Sequence, residues 1–299
     1  SMEWKVLLRG ELWLTFDILL GLLIGDLVLR WGLADRLMRG MMPWLRRHGI
    51  GPLVGLALTL SLGSAKAGAA VLASALSEGR IDRHTALWGT LSLAFPAYLR
   101  RWPATLVLSV SMTGLVGGIF ALVLILRSLV RFALVVCVLR SRESGELPLE
   151  EAPGRRRMGW GFYRKLGVTL PLAWFFYAVA FALVPYAESA FRRWFMGGSF
   201  LPLAGWAVAA ASVAHVSAAL ALTGGSLAAG ELSVAQAVFA LLLGNGLGIV
   251  TRALRQNAGY YFGLFPAGLA RSMLFWNVGT VALLTGLSLA LAAVPLLLG

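Results

Sequence analysis

The chain has 299 residues, of which 59% are hydrophobic and 13% are charged, and its mean hydropathy is +0.81. A soluble core of this size cannot bury so large an apolar fraction, which excludes a soluble globular protein and predicts a multi-pass membrane protein. The net charge of +13 is explained by basic residues between the apolar runs, where they contact anionic lipid, or by a specific polyanionic partner. No basic stretch is long enough to bind nucleic acid, so we expect no nucleic-acid partner.

The first apolar run, residues 12–29, is long enough to cross a bilayer, for which about 18 residues are needed. It contains Asp17 and Asp26. A carboxylate at membrane depth costs about 3 kcal/mol or more, so both should face the protein interior or a wet cavity. We expect Asp26 to pair with Arg30, one turn further on, and we keep Asp17 as a candidate substrate-binding residue.

Residues 33–48 alternate apolar and basic side chains at near-helical spacing. The pattern predicts an amphipathic helix that lies in the membrane interface and does not cross it. Residues 188–200 are a shorter counterpart in the second half. The basic residues of the first of these helices are Arg36, Arg39, Arg46 and Arg47.

The next apolar segment is interrupted near its middle by the sequence GSAKAG at residues 63–68. The runs on either side are too short to cross a bilayer alone, which indicates a broken span or a re-entrant hairpin. A half-helix end inside a membrane leaves backbone groups that protein, water or ligand must satisfy. Ser64 and Lys66 are therefore candidate substrate-binding residues, with Lys66 as the holder of an anion. The alternatives for Lys66 are extension to the interface or an ion pair with Asp17 or Asp26.

Residues 85–99 form a further apolar run, in which Pro96 should kink or end the helix because it removes a backbone hydrogen bond. Residues 103–139 are longer than one span and divide most naturally at a glycine cluster that begins at Gly114. The second of these segments carries Arg127 and Arg131.

Residues 201–252 repeat the pattern of residues 51–101. The paired positions include Pro52 with Pro202, Gly55 with Gly205, Gly79 with Gly230, Leu91 with Leu242 and Arg101 with Arg252. The second copy is broken at SVAHVS, residues 212–217, and again at TGGS, residues 223–226. A repeated pair of interrupted segments is typical of transporters with a binding site near the membrane midplane.

The repeat divides the chain into a first repeat at residues 2–139, a polar cytoplasmic linker at 140–165 and a second repeat at 166–299. Each half holds about five membrane segments, and an odd number places the halves in opposite senses. We therefore expect an all-α polytopic membrane protein of two inverted repeats with broken or re-entrant helices. The distribution of arginine favours an N-terminus on the outer side.

Two further candidate substrate-binding residues lie in the second copy. His215, in the first break, is either a proton-coupling or anion-binding group or a hydrogen-bonded core residue. Asn245, in the sequence GNGLG, matches Ala94 of the first half. Its amide would be available to a ligand, although close helix packing explains the surrounding glycines equally well.

Chemistry other than binding finds little support in the sequence. Cys137 is the only cysteine, so there is no internal disulfide and no metal-finger spacing. No nucleophile with a base at workable spacing, no metal triad and no paired carboxylates stand out. We therefore expect no enzyme activity, no metal site and no cofactor.

The start PLVG, the small-residue break, the turn EGRID and the run ending in AFPAYL together resemble the Gate, or nucleoside-recognition, domain. That domain occurs in the spore-maturation pair and in the membrane part of ferrous-iron transporters, and it is distantly similar to concentrative nucleoside carriers. The resemblance implies a transport-like role in the cell membrane of a prokaryote. It has no authority over the substrate, since the GTPase domain of the iron transporters and the acid-rich site of the nucleoside carriers are not evident.

Three functions follow as hypotheses. The first is a secondary transporter or flippase for a small solute that is anionic or nucleoside-like, bound between the two repeats. The second is a non-transporting membrane scaffold of the spore-maturation type. A metal-ion permease is the weakest, because Lys66 and His215 suit an anion better. The working unit is a monomer or a homodimer.

Overall fold

The computed structural model describes residues 32–144 and 201–298, with isolated positions between 4 and 23 and at 171, 174 and 178. The described ranges are helical, with one isolated backbone bridge between Ile81 and Glu143. The helices of the first range are α1 Leu33–Arg47, α2 Pro52–Ser61, α3 Ala65–Ser77, α4 Arg83–Ser92, α5 Ala94–Thr113 and α6 Leu115–Leu139. Those of the second are α7 Leu203–Ala214, α8 Val216–Ala228, α9 Val234–Leu247, α10 Ile249–Ala253, α11 Gly259–Leu264 and α12 Ala267–Leu298, with a π-helical turn Leu254–Ala258 between α10 and α11.

Within the described part of the chain, two helices, α6 and α12, are long and apolar enough to cross a membrane. Helix α9 and the segment Ile249–Leu264 meet at an angle of 47° and together make a third candidate span. Four shorter apolar helices, α2, α3, α7 and α8, accompany them. The expectation of an all-helical protein with the character of a membrane protein is thereby confirmed. Asp17, Asp26 and the segments 145–165 and 188–200 lie outside the described residues.

Helix α1 confirms the predicted amphipathic helix. It buries Met38 and Leu45, whereas Leu37, Trp44 and its four arginines are exposed. Its position in a membrane interface remains a prediction.

The short apolar helices form two hairpins, and each hairpin breaks where the sequence predicted. Three residues, 62–64, separate α2 from α3, and the single residue His215 separates α7 from α8. Ser64 and His215 start the second helix of their hairpins with nearly the same backbone angles, φ −162° and ψ 122° against φ −157° and ψ 126°. The break predicted at TGGS is wrong, because α8 continues through it to Ala228.

The turns that follow the hairpins also match. Gly79 (φ 70°) and Gly230 (φ 73°) each adopt the left-handed conformation that ends a helix and that glycine tolerates best. Three residues later, Asp82 and Ser233 start the next helix, and each accepts a backbone hydrogen bond from its first turn. The two copies in the sequence therefore correspond to two copies of one local geometry.

The interruption predicted in the run 85–99 is present, but it lies three residues before Pro96. The discontinuity lies at Leu93, and α5 runs without a break from Ala94 to Thr113. Pro96 falls in the first turn of α5, where the proline costs little because first-turn N–H groups lack partners within the helix. The expected division at Gly114 is confirmed, since this residue (φ 62°) lies between α5 and α6.

The apolar side chains form two cores that share α6 and α12. The first core joins α2, α3 and α4 to the end of α6, at Phe132 and Val136, and to the start of α12, at Met273. The second joins α7, α8 and α9 to the start of α6, at Phe120, and to the end of α12, at Leu289. The middles of α6 and α12 consequently lie between the two cores.

Candidate functional site

A cavity of about 200 Å³ lies between the two cores. Its walls come from the start of α5, the middle of α6, the segment Ile249–Leu264 and the middle of α12. Four arginines line it: Arg101, Arg127, Arg131 and Arg252. No aspartate or glutamate lies among the described residues that form its walls.

Two of the arginines lie one turn apart on α6 and are held by neutral oxygens. Arg127 donates from Nη1 to Thr285 Oγ1 at 3.0 Å and from Nη2 to Asn245 Oδ1 at 2.8 Å. Arg131 donates from Nε to the Thr280 hydroxyl at 2.9 Å and from Nη2 to Asn277 Oδ1 at 2.6 Å. The side-chain amides and hydroxyls of α9 and α12 thus fix both guanidinium groups in place.

The other two arginines occupy matching positions of the two sequence copies. Arg252 donates from Nη2 to the backbone oxygen of Asn245 at 2.5 Å. Arg101 is exposed and has no hydrogen bond within the described ranges. The cavity therefore receives one arginine from each copy in addition to the pair on α6.

Among the described residues of the walls, no carboxylate compensates the positive charge of this cavity. Arg131 is only 9% exposed, and its partners are uncharged. Neutral oxygens satisfy the N–H groups of a buried guanidinium but supply no opposite charge, and a buried unpaired charge is costly in protein and in lipid. An anion in the cavity would remove that cost.

Two neutral features add to the preference for an anion. The hydroxyl of Tyr98, which lines the cavity, is buried and has no hydrogen-bond partner in the described structure. Ala65, the first residue of α3, also lines the cavity, and the side chain of Ser64 does not cap this helix. A helix N-terminus carries partial positive charge and free N–H groups, which favour a negatively charged ligand.

At the tip of the first hairpin, a fifth arginine donates a hydrogen bond at the C-terminal end of α2. Arg100 donates from Nη1 to the backbone oxygen of Gly63, just beyond the end of α2. A carbonyl oxygen at a helix C-terminus has no N–H donor within the helix and carries partial negative charge. Arg100 therefore supports the hairpin, whereas its neighbour Arg101 faces the cavity.

Only some of the residues predicted from the sequence lie at this cavity. Asn245 is buried and contacts both Arg127 and Arg252, and Ser64 precedes the wall residue Ala65. The side chain of Lys66 is exposed and is not part of the wall. His215 is also outside the wall, where its Nδ1 accepts a hydrogen bond from the N–H of Ser217 at 3.2 Å. Asp17 lies outside the described residues.

The arginines of the cavity were not predicted as site residues, although the sequence contains a signal for them. Arg127 and Arg131 lie in the middle of the 25-residue apolar helix α6. Charged residues inside a membrane span are rare and mark functional sites, which is the argument that selected Asp17. Arg101 and Arg252 are paired by the sequence repeat alone, which does not indicate that they meet at one cavity.

Metal ligands do not gather elsewhere in the described ranges. No group of three or more His, Cys, Asp and Glu side chains lies together there, and Cys137 is a free, exposed thiol on α6.

No family model matches the chain, and comparisons with characterised proteins and with solved structures also find no match.

Proposed function

We propose that this protein is a membrane transporter of the secondary-carrier or flippase type, which moves a small anionic solute through the cavity between two inverted repeats. The observation that carries the proposal is the group of four arginines around one cavity whose described walls contain no carboxylate. Such a group raises the local concentration of an anion in the cavity.

The arrangement of the helices around the cavity also supports transport. Each sequence copy contributes a broken hairpin with the same geometry, and each has a helix discontinuity beside the cavity, at Leu93 and at Gly248. Discontinuous helices at the contact of two repeats are typical of secondary carriers, in which one repeat moves against the other around a fixed site. Short breaks between rigid helices are the places that absorb such movements.

The charge of the cavity separates the remaining alternatives. Four guanidinium groups repel a metal cation, which disfavours a metal-ion permease. A scaffold without a ligand would carry the cost of burying Arg131 among neutral partners and gain no binding function in return. A solute that brings negative charge turns the same cost into binding energy.

The proposal is tested by transport into proteoliposomes that contain the purified full-length chain. Inorganic phosphate, sulfate, succinate, glycerol phosphate and nucleoside monophosphates are offered in turn, and translocation of a fluorescent anionic lipid across the same membrane tests the flippase form. At least one of these should cross faster than in empty vesicles.

The matched variants are Arg131→Gln, in the cavity, and Arg271→Gln, which replaces an exposed arginine of the same helix that carries Asn277. We expect the first to abolish transport and the second to retain it. Equal transport by the parent and by Arg131→Gln, or no transport of any anion, would refute the proposal.

A further inference from the structure

The cavity has more positive charge than a singly charged solute can neutralise. A carboxylate offers one negative charge to four guanidinium groups. A phosphate monoester carries about −1.5 to −2 at neutral pH and offers three strong acceptor oxygens. The charge balance therefore favours a phosphoryl group over a monocarboxylate.

The two central arginines keep N–H donors that are free for a ligand. Arg131 uses Nε and Nη2 to hold Thr280 and Asn277, which leaves the N–H groups of Nη1 and one N–H of Nη2. Arg127 uses both terminal nitrogens for Thr285 and Asn245. A guanidinium has five N–H donors, so three remain on each arginine for a ligand that offers several acceptor oxygens.

The other donors of the cavity approach from other directions. Tyr98 and Arg101 lie on α5 and Arg252 lies on α10, whereas the central pair lies on α6. The start of α3 at Ala65 adds backbone N–H groups from a further helix. Donors on four helices surround a tetrahedral group more completely than a planar one.

The size of the cavity limits what else the ligand can contain within it. Sites that enclose a drug-sized ligand measure roughly 300 to 1,000 Å³, whereas this cavity measures about 200 Å³. It can hold a phosphate or a diphosphate group, but a nucleotide base and sugar would have to lie outside it.

We infer that the cavity is a phosphoryl-group site, in which Arg101, Arg127, Arg131, Arg252 and the Tyr98 hydroxyl bind the phosphate of the transported molecule. This inference rests on the proposed function and narrows its substrate to phosphates and phosphate monoesters. The phosphate belongs either to a small soluble molecule or to the head group of a lipid.

The experiment measures binding to the full-length chain in nanodiscs by calorimetry. The soluble arm uses inorganic phosphate, diphosphate and glycerol phosphate, with acetate and succinate as carboxylate controls. The lipid arm uses phosphatidylcholine nanodiscs that contain either phosphatidic acid, a phosphate monoester, or phosphatidylglycerol, a phosphodiester. Calorimetry compares the stabilisation of the chain by these two lipids. Binding in the first arm identifies a soluble source, and a preference for phosphatidic acid alone identifies a lipid source. Either result supports the phosphoryl site.

The pH dependence distinguishes a phosphate monoester from other anions. Its second ionisation has a pKa of about 6, so affinity should rise several-fold from pH 5.5 to pH 7.5 as the dianion forms. The titratable side chains of the described cavity walls are arginines and tyrosines, residue types that ordinarily do not change charge in this range. The ligand is then the group in the cavity whose charge changes.

Two cavity variants and one control complete the test. We expect Arg127→Gln to weaken phosphate binding about ten- to hundredfold and Tyr98→Phe about three- to tenfold, since each removes donors to an anion. Arg271→Gln should leave the affinity unchanged. Tyr98→Phe removes only a hydroxyl without a described partner, so it tests the site even where Arg127→Gln fails to fold.

The phosphoryl inference fails if succinate or acetate binds as tightly as phosphate, or if the affinity does not change between pH 5.5 and pH 7.5. It also fails if both cavity variants bind like the parent. Binding of carboxylates with loss in Arg127→Gln would leave the proposed anion transporter intact, whereas the absence of binding by every anion would refute both.

Discussion

The two broken hairpins have the same local geometry but are stabilised in different ways. In the hairpin of α2 and α3, residues distant in sequence hold both ends: Glu143 accepts hydrogen bonds from the N–H groups of Leu53 and Val54, both at 2.9 Å, and Arg100 binds the oxygen of Gly63. In the hairpin of α7 and α8, the break itself has a local contact, because Nδ1 of His215 accepts a hydrogen bond from the N–H of Ser217, whereas Ser64 makes no such contact. A repeated backbone therefore does not require repeated side-chain contacts. Glu143 and Arg100 tie the first hairpin to distant parts of the chain.

The largest difference in stability between matched variants of the two hairpins should arise where the two helices of a hairpin pack closely. Gly68 of α3 stands where α8 has Ala219, and a Cβ at Gly68 would lie 2.5 Å from the backbone oxygen of Ala57. We expect Gly68→Ala to destabilise the protein by about 2 to 3 kcal/mol because the two backbones must separate. Thermal unfolding in detergent measures this loss.

The reverse change, Ala219→Gly, is the matched control. It introduces no clash and should cost about 1 kcal/mol through the flexibility of glycine in a helix. If Gly68→Ala were as mild as this control, the two hairpins would not differ in helix spacing as the structure indicates.

The second difference is the contact of Glu143 with the start of α2, at the end of the first hairpin away from its turn. We expect Glu143→Ala to cost about 2 kcal/mol, because two N–H groups at the start of α2 lose a charged acceptor. The ion pair between the exposed Glu78 and the partly buried Arg80, at 3.7 Å, provides the control, and Glu78→Ala should cost less than about 1 kcal/mol.

Hydrogen exchange locates the effect of losing this anchor. The amides of Leu53 and Val54 should exchange faster in Glu143→Ala, while those at the start of α7 remain unchanged. Uniform exchange across both hairpins would show that Glu143 does not act on the first hairpin in particular.

The third comparison is between two adjacent arginines, of which Arg100 stabilises the first hairpin and Arg101 lines the cavity. Arg100→Gln should lower stability by about 1 to 2 kcal/mol, because the oxygen of Gly63 loses its partner. Arg101→Gln should lower stability little, since this side chain is exposed and has no hydrogen bond within the described ranges, but it should weaken anion binding. Thermal unfolding and calorimetry on the same two samples check both statements. If Arg100→Gln weakened anion binding and Arg101→Gln lowered stability, the roles given to these two arginines would be wrong.

The regular features of the fold were predictable from the sequence because they depend on local backbone requirements. Gly79 and Gly230 adopt the left-handed conformation that their position at the end of a helix requires, and the breaks at residues 63–64 and at His215 follow from apolar runs too short to span a membrane. The error at TGGS has the same origin, since small residues permit a break but also permit close helix packing. Gly224 illustrates the second case, because a Cβ there would lie 2.4 Å from the backbone of Met112.

The site was predicted only in part because it depends on contacts between distant helices. Asn245 was selected for its glycine neighbours, and the structure adds its partner Arg127, far away in sequence. Lys66 was selected because it lies in a break, yet its side chain is exposed. Which charged residue near a break faces inward depends on the rotation of the helix. Sequence spacing alone does not define that rotation across an interrupted segment.

The smallest difference concerns the residues that cap α4 and α9. Asp82 accepts from the N–H of Thr85 at 2.8 Å, and Ser233 accepts from that of Gln236 at 3.2 Å. Either substitution by alanine should cost about 1 kcal/mol at neutral pH. Partial burial acts to raise the pKa of the Asp82 carboxyl, but hydrogen bonds from Thr85 and the charges of His84 and Arg142 lower it overall.

The contribution of Asp82 should therefore depend on pH, whereas that of Ser233 should not. A carboxyl with a lowered pKa stabilises the fold fully above its pKa in the unfolded chain, about 3.9, and loses this contribution as the pH falls through the value in the folded protein. The difference in melting temperature between the parent and Asp82→Ala should narrow between pH 7 and pH 3, while that for Ser233→Ala persists. Parallel behaviour of the two variants would mean that the Asp82 cap does not act through its charge.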